Sequence, residues 1–89
     1  MRIIERRVAD AEALVELTAE VSDATFYIRD DENNIIAEVS LVKGQSAKHT
    51  VPFHGSVEVI YSTGNSDTLY VAGVSVDDIK KLPALDSLK

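Results

Sequence analysis

Apolar and polar residues alternate along most of this chain, and a period of two restricts it to folds rich in half-buried strands. The alternation is plainest after Ser22-Asp23, where Ala24, Phe26 and Ile28 interleave with Thr25, Tyr27 and Arg29. Asp30-Asp31-Glu32-Asn33-Asn34 reads as a turn, because Asn and Asp tolerate left-handed backbone and bond to their own main chain. Ile35, Ala37, Val39 and Leu41 then alternate with Ile36, Glu38, Ser40 and Val42, and the two runs suit a hairpin. Ile36 and Val42 make the second face of that strand partly apolar, so cover on both faces is expected.

The strand pattern continues in shorter pieces. Gly44-Gln45-Ser46 breaks the run, and residues 47–54 form a weaker strand with Val51 and Phe53 inward and Lys48 and Thr50 outward. Pro52 cannot donate to a ladder, so this strand is expected at a sheet edge or to end early. His54-Gly55-Ser56 turns the chain into Val57, Val59 and Tyr61; the loop Thr63–Asp67 leads to a last strand at 69–72.

The beginning of the chain obeys a different period. Ile3 and Ile4 sit in a short strand over 2–8, after which Asp10 is placed to cap a helix. Ala11, Leu14, Val15, Thr18 and Val21 recur at helical spacing, predicting an amphipathic helix over about 10–22. Ser75-Val76-Asp77-Asp78 resembles a capping box opening a short C-terminal helix through about Leu82, stopped by Pro83. The expected fold is therefore α+β: one main helix packed on an antiparallel sheet of four to six strands, in a single domain over 1–83 with a loose tail at 84–89.

Charge is segregated along the chain. Asp10, Glu12, Glu16, Glu20, Asp23, Asp30, Asp31, Glu32 and Glu38 are answered within residues 9–40 only by Arg29, and the chain as a whole carries −6. On the expected helix Glu12, Glu16 and Glu20 lie opposite the apolar stripe, where like charges four apart repel by roughly 0.2–0.5 kcal/mol per pair. These three glutamates, with Asp30, Asp31 and Glu32, are the candidate partner-binding residues. The simpler reading is a wet face neutralised by Arg2, Arg6 or Arg7 from an adjacent strand.

Composition excludes several classes of function. Hydrophobic residues at 45% and charged residues at 27% suit a packed domain and not a disordered chain. Without cysteine there is no disulfide, no thiolate ligand and no thiol nucleophile; a cytoplasmic location is expected. No apolar window is long enough for a membrane-spanning helix, and a pI near 4.7 argues against direct nucleic-acid binding.

Catalytic and metal-binding patterns are equally scarce. Asp30, Glu32 and Asn34 alternate like the first ligands of a calcium loop, yet the glycine and closing glutamate such a loop requires are replaced by Ile35 and Leu41. His49 and His54, five apart on one strand, point to opposite faces. No serine lies in a nucleophile elbow and no glycines form a phosphate loop. Tyr27, Tyr61 and Tyr70 are candidate interface anchors.

No enzyme, cofactor or metal is expected. The function that follows is a non-enzymatic protein-interaction or assembly module, such as a small viral or complex subunit, binding a protein partner or itself through an edge strand. The alternative is an acidic regulator or inhibitor that binds a basic protein surface as a nucleic-acid mimic.

Overall fold

The computed structural model describes residues 1–71 and is built almost entirely from strands. In chain order these are β1 (Arg2–Arg7), β2 (Glu12–Thr18), β3 (Ala24–Arg29), β4 (Ile35–Leu41), β5 (Ser46–Pro52), β6 (Ser56–Tyr61) and β7 (Ser66–Tyr70), with one 3-10 turn at Val8–Asp10. The expected C-terminal helix, the tail at 84–89 and the last residue of the 69–72 strand lie outside the described residues.

The expected α+β class is overturned by an all-β architecture among the described residues. Where a helix over 10–22 was predicted, residues 12–18 form β2, the central strand of a three-stranded sheet in the order β1-β2-β5. Two periods coexist in this segment. Ala13, Val15, Leu17 and Ala19 alternate with Glu12, Glu16 and Glu20, and all four are buried. The helical stripe would instead have exposed Ala13 and left Leu17 at its margin. Antiparallel partners on both sides supply β2 with backbone hydrogen bonds, and Val15 and Thr18 suit a pleated surface. Tertiary pairing thus overrides the helix propensity of Ala, Leu and Glu. Asp10 ends the 3-10 turn instead of capping a helix, and the turn closes with Ala11 in left-handed backbone at φ 51°.

The second sheet has four strands in the order β4-β3-β6-β7, all antiparallel. The hairpin expected over 24–41 is present as β3 and β4. The Pro52 strand, β5, is an edge and ends at that proline. Ala13, Val15, Leu17 and Val51 from one sheet join Phe26, Ile28, Val57 and Val59 from the other in a single buried cluster. With β1, β2 and β5 facing β4, β3, β6 and β7, the two antiparallel sheets form a β-sandwich. Such an arrangement hosts many unrelated functions, so function has to be argued from the surface.

Three connections gather at one end of the sandwich: residues 19–23, 42–45 and 62–65. The Ala19 N–H donates to Gln45 O at 3.0 Å, and the Gly44 N–H donates to Ala19 O at 2.8 Å. The 3-10 turn, the β3–β4 turn and the β5–β6 turn occupy the other end, where the Phe53 N–H donates to Ala11 O at 3.1 Å.

Candidate interaction surface

The structure dismantles the glutamate ladder. Four residues along a strand span about 13 Å, against about 6 Å on a helix, so the carboxylates no longer crowd one another. Each of the first two also gains a cation. Glu16 lies between Arg2 on β1 and Lys48 on β5 in the register of the sheet, with Arg2 Nε 3.2 Å from its Oε1. Glu12 pairs across from Arg7, whose Nη1 is 3.5 Å away; the same guanidinium reaches Glu5 at 3.8 Å. Glu20 stands apart, exposed in the β2–β3 connection.

The remaining candidates occupy the opposite end of the molecule from Glu20. Asp30 Oδ1 accepts hydrogen bonds from the backbone N–H groups of Glu32 and Asn34, both at 2.9 Å, so this carboxylate fastens its own turn. Asn33 supplies the left-handed residue at φ 68°. Asp31 and Glu32 are exposed and have no ion pair among the described residues. The six acids therefore form no common face: two are answered within the three-stranded sheet, one tops the sandwich, one holds a turn, and two flank the start of β4.

Beside that turn runs an edge guarded, among the described residues, by a bulge alone. Natural sheets guard their edges with lysine, proline, bulges or short strands. Strand β1 carries Arg2, Arg6 and Arg7 and a register shift between Ile3 and Glu5; β5 carries Lys48 and Pro52; β7 has only 5 residues. Strand β4 carries neither base nor proline along its 7 residues. Its irregularity, between Ile28 and Arg29 of the pairing strand, leaves Ile35 opposite Arg29 and exposed, where simple alternation predicts it inward. Ile35, Ile36 and Val42 are 54%, 51% and 53% exposed. The cover expected for the second face of this strand is not provided by any of the described residues.

A hollow of about 400 Å³ opens at the far end of β4. Thr25, Ser40, Val42 and Ile60 line its apolar and hydroxyl-bearing wall, with Asp23 and Ser62 at the top. Asp23 joins the loops that frame it: its Oδ1 accepts the Lys43 N–H at 2.9 Å and its carbonyl accepts the Ser62 N–H at 2.8 Å. Gln45 Oε1 accepts the Val42 N–H at 3.2 Å, closing the turn on the third side. Sequence reasoning missed this hollow, because its lining comes from four separate segments and only the strand order brings them together.

The other candidates fall in ordinary places. Tyr27 is half-buried on the outer face of the four-stranded sheet, between Glu38 and Glu58 in register, with Arg29 Nη1 3.0 Å from Glu58. Tyr61 packs on the core, whereas Tyr70 is 76% exposed on β7. His49 Nδ1 lies 2.9 Å from the Thr50 carbonyl, and His54 is an exposed turn residue at φ 67°. Among the described residues no three carboxylate, histidine or cysteine side chains gather as metal ligands, and no helix is long and apolar enough to cross a membrane.

No family model matches the chain, and neither curated proteins nor solved structures give a match.

Proposed function

We propose that this protein acts by binding and not by catalysis, as an interaction or assembly module that receives an extended polypeptide segment along β4. The observation that carries this reading is the β4 edge, unpaired among the described residues, with Ile36 exposed at its start and Val42 exposed beside the hollow at its far end. Main-chain hydrogen bonds to an unpaired strand edge supply affinity without regard to sequence, and a pocket beside it selects a side chain. The hollow suits a branched aliphatic side chain, since Val42 and Ile60 offer apolar contact beside the Thr25 and Ser40 hydroxyls.

Asp31 and Glu32 at one end of β4 favour a segment that sets a positive side chain beside them. This keeps part of the acidic partner surface and relocates it from β2 to β4.

Isolation of the tagged protein from its source cells, beside an Ile60→Lys variant, tests the reading. Ile60 is 43% exposed, so a lysine there leaves the core intact while obstructing the hollow. A polypeptide retained by the wild type and lost from the variant is the expected result. Equal retention by both proteins would refute the use of this surface.

A further inference from the structure

We infer that the segment received by β4 is β4 of a second copy, paired antiparallel about a two-fold axis at Val39. The inference rests on the proposed binding role of this edge and names its occupant. Residues opposite each other in an antiparallel pair share a face, so each possible axis makes a definite set of neighbours. An axis at Glu38 would set two carboxylates against each other. An axis at Ala37 would set Glu38 against Ile36, and one at Ser40 would set it against Val42. Like charges placed opposite oppose pairing, and a carboxylate in the middle of the strand set against an aliphatic side chain gains no partner.

The axis at Val39 keeps Glu38 clear of both conflicts; at the ends it sets Lys43 against Ile35, where the lysine stem packs and its ammonium extends toward the acidic turn. Ile36 meets Val42 of the other copy at both ends, Glu38 meets Ser40, and Ala37 meets Leu41. The first pair joins exposed Ile36 to Val42, the exposed aliphatic just past the strand, and the second offers a carboxylate to a hydroxyl. The third covers side chains that already pack on the edge of each core. Because Val42 lines the hollow, the incoming Ile36 sits at its mouth.

The ends of the strand are complementary in charge. Lys43 follows β4 and has no ion pair among the described residues, while Asp31 and Glu32 precede it. Antiparallel pairing sets each lysine beside the acidic turn of the other copy, twice per dimer. The two four-stranded sheets would join into one continuous sheet across a closed, isologous interface. A single strand pair buries less than the ~800 Å² per partner of standard interfaces, so the dimer is weak and concentration dependent.

Absence of cysteine in the native chain allows a direct test on the full-length protein. Val39→Cys places two thiols across the axis, and Ser66→Cys puts one at an exposed position on the β7 edge as a control. Under mild oxidation Val39→Cys should give a disulfide-linked dimer, and Ser66→Cys should not. Sedimentation equilibrium from about 10 µM to about 1 mM should show a dimer that Ile36→Lys weakens by roughly tenfold or more. Lys43→Glu should weaken it too, and adding Glu32→Lys should restore it.

Equal cross-linking by both cysteine variants, a strict monomer over the whole range, or a dimer indifferent to Ile36→Lys would each overturn the inference. A monomer whose captured partner is still lost on Ile60→Lys would overturn the second copy alone and keep the binding role. A monomer that captures nothing would dispose of both.

Discussion

Asp23 joins two of the loops around the hollow, although it is exposed. Its carboxylate and its carbonyl fasten the 42–45 and 62–65 connections, one bond each. An exposed charge-assisted bond to a backbone N–H is worth less than a buried one, so Asp23→Ala should cost about 1 kcal/mol in a denaturant titration. Hydrogen exchange gives the sharper reading: the Lys43 amide should lose protection, while the Ser62 amide, bonded to the Asp23 backbone, should keep most of its own. Gly55 is constrained differently, by close approach. A Cβ there would lie 2.5 Å from the Arg29 carbonyl oxygen and 2.9 Å from that of Pro52, and both obstacles are backbone. Gly55→Ala must therefore push the β5–β6 turn away from the end of β3. A loss of about 2 kcal/mol or more is expected in the same titration. A neutral effect would mean that this turn sits farther from β3.

Strand β2 is where sequence and structure part, and the reason lies in particular residues. Val15 belongs to both apolar patterns, the helical one through Ala11, Leu14 and Thr18 and the alternating one through Ala13, Leu17 and Ala19. Only its neighbours decide between them, and β5 is more than thirty residues away in the chain. By contrast, Ala24–Arg29 and the Asp30–Asn34 turn were legible, since period and turn chemistry coincide there. The Pro52 edge was legible for the same kind of local reason. Replacing Glu12, Glu16 and Glu20 by glutamine separates the two patterns energetically. On a helix the change relieves repulsion and stabilises; on β2 it removes the Arg2 and Arg7 ion pairs and costs up to about 1 kcal/mol, given their exposure. Thermal unfolding at low salt should show a small loss. A gain in stability would restore the helical reading.

At the scale of the whole molecule, the sandwich redistributes features that are contiguous in sequence. Acids that run together from Asp10 to Glu38 are separated onto one sheet, one connecting end and the flank of β4. Acidic side chains at the start of β4 were recognisable from composition, whereas the hollow depends on Asp23, Ser40, Val42, Ile60 and Ser62 meeting through the strand order. A hollow assembled from four segments leaves no spacing signature.

The placement of β2 as the middle strand of its sheet brings Arg7 and Arg2 to Glu12 and Glu16 and replaces the helix expected over 10–22. Cross-strand proton contacts by NMR test it directly. Residues 12–18 should show contacts linking Glu16 to Arg2 and to Lys48, and Val15 to Ile3 and to His49, as the register requires. Contacts between residues three apart across 10–22, without those cross-strand pairs, would contradict it.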